Sequence, residues 1–318
     1  MDLFKIFSEI EKVDPEVYER FDTRRRAFKH MAGLGKKVTA ATLPGLLGAM
    51  FQKAYGQTTT LPAEIVSTLN LALQLEYLER NYYATGLSTA GTVPSADTPA
   101  ITIIRDDEVG HIAALKLVLG SQAFNGNGTA STDIDATYFD YTAGGKLPNP
   151  FGTGNTANFY ATAQGFVDTG VRAYKGGAKN LMGNKDILQA ALNIHSVEAR
   201  HSSHIRLLRR GGVAVAGDLS NLSARPKSWI SGTDGGGPVP AVTAPVYGAG
   251  SPAADYPAED NVTQATINVQ SNTTPPTGQT ITAAAASEAF DEPLDAATVK
   301  TIARNFISQK GRNFGLFA

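Results

Sequence analysis

Apolar positions recur every three and four residues in four segments, the spacing of one helical face. The first, AEIVSTLNLALQLEYLERNYYATG, runs from 63 to 86 with no internal proline and no glycine before its end. The second, TPAITIIRDDEVGHIAALKLVL, covers 98–119, with Pro99 suited to a first turn and Gly120 to a stop. The third is ANFYATAQGFVDTGVRAYKGGAKNL at 157–181, and the fourth KDILQAALNIHSVEARHSSHIRLLRR at 185–210, closed by Gly211-Gly212. Short links join the first to the second and the third to the fourth. Between the pairs lies a long polar, glycine-rich stretch from 121 to 155. Two helical hairpins with one long crossover predict an all-α four-helix bundle, spanning about residues 58–212.

The flanks break this pattern. Residues 1–57 read as an N-terminal arm: charged helix formers, then TRRRAFK at 23–29, then the apolar run VTAATLPGLLGAMF at 38–51. That order resembles a twin-arginine export signal, with Ala54-Tyr55-Gly56 as a small-x-small cleavage site; the run is shorter than a bilayer-spanning helix requires. Lys36 and Lys37 interrupt it, so a retained helical arm docked on the body or on a partner carries equal weight. A periplasmic or exported location is one expectation; a cytoplasmic or membrane-associated protein with its arm retained is the other. From 213 to about 290 the chain turns to Gly, Pro, Thr, Ala and Ser, an irregular wrap over the bundle in which VPAVTAPVYG and TQATINVQ are candidate short strands. Helical spacing returns at 293–308, so the extension 213–318 should end in a docked helix.

Charge narrows the function classes. With 28 Lys+Arg against 29 Asp+Glu and no basic stripe with interleaved aromatics, nucleic acid is not expected as a partner. The absence of cysteine leaves any metal to carboxylates and imidazoles. Against that background the second helix places Glu108 three residues before His111, and the fourth places Glu198 three before His201, each pair on one helical face. With twelve glutamates in 318 residues, two such pairs among five histidines is roughly a 1% coincidence. Glu76 precedes Tyr83 by seven on the first helix; Tyr83 and Tyr174 stand 25 and 24 residues ahead of the two Glu-x-x-His pairs. The chain reads as an approximate duplication. Two divalent ions a few ångströms apart need bridging carboxylates and one imidazole each, the donor set that a Glu from each of two helices and a Glu-x-x-His from each of the others supplies.

LNLALQLEYLERNYY, DDEVGHIAAL, DTGVRAYKGGA and VEARHSSHIR, over about 62–212, resemble the ferritin-like superfamily, within it the branch that includes the desiccation-related proteins. ARPKSWI at 224–230 and ASEAFDEPL at 286–294 resemble the C-terminal extension of that branch. The resemblance implies a bundle able to hold two iron or two manganese ions, with Glu76, Glu108, His111, Glu198 and His201 at ligand positions and Tyr83 and Tyr174 hydrogen-bonded behind them. One position departs: seven residues before Tyr174 stands Val167. Asp168, one residue on, is rotated by about 100° and is a doubtful ligand, reaching a metal only if the third helix is wound differently there. His195 is a candidate substitute, better suited to a hydrogen-bonded role; Glu79, Asp106 and Asp107 are expected as solvated or supporting groups, and His204 as peripheral.

Two functions follow. The first is an oxidoreductase-type dimetal protein acting on oxygen, peroxide or ferrous iron, ferroxidase-like or manganese-catalase-like. The second is a non-enzymatic scaffold or stress protein with a degraded metal site, a homo-oligomer or larger assembly making contacts through arm and wrap. A storage cage is not expected, because arm and wrap would crowd its shell contacts.

Overall fold

The computed structural model describes residues 60–126, 133–211, 224–272 and 281–318. The N-terminal arm, its arginine motif and its apolar run lie outside the described residues.

Four long helices form the bundle: α1 (Ala63–Ser88), α2 (Thr98–Leu119), α3 (Thr156–Ala178) and α4 (Lys185–Arg210). Local chemistry sets their ends. Pro99 sits in the first turn of α2 and Gly120, at φ 53°, closes it; Asn184 caps α4 by accepting from the Ile187 N–H at 3.1 Å, and Gly211 ends it at φ 79°. Helix α1 packs along α2, and α3 along α4, with α1 also against α3. Leu61, ahead of α1, bonds to Gln122, just past α2, while Gln164 near the start of α3 meets Arg209 at the end of α4, so both hairpins are antiparallel. Tyr82 donates to the Phe159 carbonyl and Tyr174 to Glu76, which makes α1 antiparallel to α3 as well. Helices α2 and α3 therefore run the same way, and the crossover must travel the length of the bundle.

That crossover is anchored rather than loose. Tyr138, Phe139, Tyr141 and Leu147 are buried, and Tyr82 stacks on Phe159 at 4.9 Å amid Tyr141, Phe151 and Phe166. The C-terminal segment pairs with it: Asp140 N–H donates to the Phe306 carbonyl at 2.8 Å, and Ser308 N–H to that of Tyr138 at 3.0 Å.

The extension is irregular between short elements. VPAVTAPVYG, a candidate strand from its composition, is instead helix α5 (Pro240–Tyr247), with Pro240 in its first turn. TQATINVQ forms a two-residue antiparallel pair, β1 (Thr263–Gln264) with β2 (Ile267–Asn268), running into α6 (Val269–Asn272). Helix α7 (Ala283–Ser287) follows. The terminal helix, predicted over 293–308, is α8 (Ala296–Arg304), starting at Asp295 because that side chain accepts from Thr298 N–H; α9 (Gln309–Phe314) comes after it, capped by Ser308.

Two fully buried arginines fasten this extension to the bundle. Arg172 of α3 donates to the carbonyls of Val246, Gly248, Pro257, Glu292 and Pro293 and meets Glu259 at 2.8 Å. Arg206 of α4 donates to the Trp229 carbonyl and to Asp234. Close backbone approach needs Gly176: a Cβ there would lie 1.9 Å from the Leu294 carbonyl oxygen. Gly176→Ala should therefore lose about 1–3 kcal/mol of stability despite alanine's better helix propensity, read as a lower denaturant midpoint at unchanged slope.

Candidate metal centre

Helices α1, α2 and α4 bring Glu76, Glu108, His111, Glu198 and His201 to one point in the middle of the bundle, all of them buried. One ligand atom from each of Glu76, Glu108, His111 and Glu198 lies within 4.8 Å of the others. His111 Nδ1 stands 3.1 Å from Glu76 Oε2, 3.1 Å from Glu108 Oε2 and 3.2 Å from Glu198 Oε1. His201 Nδ1 stands 3.1 Å from Glu108 Oε1 and 3.6 Å from Glu198 Oε2. Each of Glu108 and Glu198 thus turns one oxygen to each histidine, and the imidazole rings face one another at 6.3 Å.

His111 Nδ1 bonds Glu76 Oε2 and Glu108 Oε2, but other close atoms of the cluster are not paired. Glu108 Oε1, both oxygens of Glu198 and His201 Nδ1 have no hydrogen-bond partner with acceptable angles, although all are buried. Unpaired buried acceptors are costly. A bound cation would satisfy such a group of close, buried donor atoms. The donors are carboxylate oxygens and imidazole nitrogens, a set that could hold a metal ion.

Charge in the metal-free centre follows the same logic. Burial raises the Glu76 carboxyl, against the pull of His111. Burial would lower both imidazoles, yet Glu76, Glu108 and Glu198 raise His111, and Glu108 and Glu198 raise His201. Burial would also raise Glu108, but His201 and His111 outweigh it and keep that carboxyl low.

The surrounding groups orient the donors. His201 Nε2 faces Asp107 Oδ2 at 3.1 Å, which leaves Nδ1 directed inward. Tyr174 donates to Glu76 Oε1 and leaves Oε2 toward His111. Tyr83 is fully buried beside Glu79, Glu108 and Glu198, and its hydroxyl has no partner. Asp106 instead pairs with its neighbour Arg105 at 2.6 Å.

Helix α3 sends no carboxylate into this cluster. Val167 is fully buried among apolar side chains. Asp168, a doubtful ligand from the sequence, is turned away: it accepts from Ser202 Oγ at 2.6 Å, Arg206 Nη2 at 2.6 Å and Tyr247 OH at 2.6 Å. The α-helix keeps its ordinary winding there, so the one-residue offset places Asp168 on the face toward the extension. His195 stands outside the cluster, with Asp291 and Lys175 near it, and burial lowers its imidazole. His204, likewise lowered by burial, lies outside it, with Asp97 opposing the shift.

Two of the groups expected from the sequence as solvated or supporting stand beside the cluster. Asp107 has a specific partner in His201, and Glu79, expected as a solvated or supporting group, is buried against Glu198, Glu108 and Glu76. A signal for Glu79 did exist: it follows Glu76 by three residues and so shares its face.

Residues 64–210 match the family model of a ferritin-like domain. No match is found among curated proteins or among solved structures. The matched span begins one residue into α1 and ends with α4, taking in both Glu-x-x-His pairs and the crossover, so the helical bundle of this chain is similar to a ferritin-like domain and carries a buried Glu/His cluster that could hold metal.

Proposed function

We propose that the bundle holds two divalent ions, iron or manganese, and acts on oxygen, peroxide or ferrous iron. The observation that carries this is the convergence of Glu108 and Glu198 oxygens on His201 Nδ1 at 3.1–3.6 Å, buried and without hydrogen-bonding geometry, beside the Glu76 and His111 donors. Glu76, Glu108, His111, Glu198 and His201 would hold the ions, Glu108 and Glu198 each turning one oxygen to each histidine. Bound metal would supply Lewis acidity and electrons for oxygen chemistry. The chain's own residues bury the centre, fix the His201 tautomer through Asp107, orient Glu76 through Tyr174 and leave the Tyr83 hydroxyl free to donate to an oxygen-bearing substrate.

Elemental mass spectrometry on protein purified without chelator, beside Glu198→Ala, tests this. About two iron or manganese per chain, lost in the variant, is the expected result and leads to oxygen and peroxide assays; no metal in either, with the fold intact, sinks it. Asp107→Ala should weaken metal binding about 10–100-fold without unfolding the chain, measured by competition with a chromophoric chelator.

The scaffold reading, with contacts in a homo-oligomer or larger assembly, is favoured by Val167 and by the care with which the extension is fastened. Membership of the desiccation-related branch is supported by ARPKSWI and ASEAFDEPL, and these two segments meet: Lys227 and Trp229, with Ser231 just past the first segment, contact the Glu288 carboxylate. Export follows from TRRRAFK and its apolar run; N-terminal sequencing of the mature protein tests it. Among the described residues no helix is long and apolar enough to cross a membrane.

A further inference from the structure

The duplication that pairs Glu76 with Val167 also pairs Glu79 with Gly170, since each of the latter stands four residues before its helix's tyrosine. A carboxylate is missing at one position of α3, and a side chain is missing at the next inward-facing position of the same helix. The space left by Gly170 is taken up from across the bundle. A Cβ built on Gly170 would lie 3.4 Å from Glu79 Oε1 and 3.4 Å from Glu198 Oε2. That oxygen of Glu198 is the one on the His201 side, 3.6 Å from Nδ1; its other oxygen serves His111. Glu79 therefore lies against the half of the centre that lacks its own terminal carboxylate.

We propose that Glu79 is a metal ligand, replacing from α1 the carboxylate that α3 no longer supplies at Val167. Its Oε2 is buried and has no partner in the protein. The Tyr83 hydroxyl is an independent sign: its counterpart Tyr174 bonds Glu76, whereas Tyr83 finds no carboxylate to bond, as expected if the matching acid has left α3. With Glu79 included the two half-sites are equivalent. Each has one imidazole Nδ1, one oxygen of Glu108, one of Glu198 and a terminal carboxylate, Glu76 beside His111 and Glu79 beside His201. Four carboxylates then match the charge of two divalent ions in a buried site, where three would leave a positive excess. Gly170 is what admits this arrangement, because a longer side chain there would occupy the volume between Glu79 and Glu198.

The inference rests on the dimetal reading, and the test separates the two. Full-length protein is stripped and titrated with manganese(II), with metal per chain and electron paramagnetic resonance as readouts, for wild type, Glu79→Gln and Glu79→Asp. Expected are two ions with exchange-coupled spectra in wild type. Glu79→Gln should keep one ion, with an uncoupled six-line spectrum and second-site affinity reduced by more than about 100-fold, beyond the loss typical of a group acting through a ligand. Glu79→Asp, shorter by one methylene, should weaken the second ion only, and the thermal midpoint of the metal-free variants reports their folding. Two coupled ions at near wild-type affinity in Glu79→Gln would overturn the assignment of Glu79 and leave the dimetal reading standing. One ion in wild type would overturn the assignment as well, and none would overturn both.

Discussion

Stripping divalent metal from the protein with a chelator should lower its thermal midpoint by about 10–20 °C, and Glu198→Ala should start from the lowered value and not respond to the chelator. An ion present at about 100 times its dissociation constant stabilises the folded state by about 2.7 kcal/mol per site, and a bundle of this size shifts by about 2–4 °C per kcal/mol. Glu198 turns an oxygen to each histidine, so its loss takes both sites at once. The sign with pH follows from the groups that hold protons before metal arrives. Burial raises Glu76, and neighbouring carboxylates raise His111 and His201, so these groups keep their protons above the ordinary range and must release them to coordinate. Metal affinity should therefore rise as pH rises through those values, with proton release visible as a buffer-dependent heat in calorimetry. A midpoint indifferent to chelator in wild type would remove the stabilising role of metal.

Arg172→Ala should cost about 3–5 kcal/mol and release the extension from the bundle. Removing this side chain strands the Glu259 carboxylate, 1% exposed, together with carbonyls from three separate stretches of the extension. Arg172→Lys should recover little, because one ammonium cannot replace a planar fork that reaches Val246, Pro257 and Glu292 at once. Limited proteolysis is the direct readout: new cleavage within 240–294 in the variant, with α1–α4 protected. If cleavage is unchanged and the denaturant midpoint stays within about 0.5 kcal/mol of wild type, the clamp is not what holds the extension.

The bundle was legible because it depends on local relations. Apolar spacing at three and four, the stops at Gly120 and Gly211 and the length of the crossover all follow from helical pitch and chain reach. The same pitch puts Glu108 with His111 and Glu198 with His201 on common faces, whatever surrounds them. VPAVTAPVYG was misread as a candidate strand because its β-branched residues and prolines carry no helical stripe of their own; Val246 and Tyr247 are buried by contact with α3, and that contact keeps the turn helical.

By itself the sequence determined the helical class, the duplicated carboxylate and imidazole pairs, and the loss of a carboxylate at Val167. It could not determine what fills the gap. Asp168 and Glu79 look alike as acidic residues near a ligand position, and only the tertiary structure sends one to Arg206 and Tyr247 under the extension and the other inward beside Glu198. The physical reason is that spacing along one helix follows from its pitch, whereas the rotation of one helix against another, and the space a glycine on α3 yields to a side chain of α1, are properties of packing between segments some ninety residues apart.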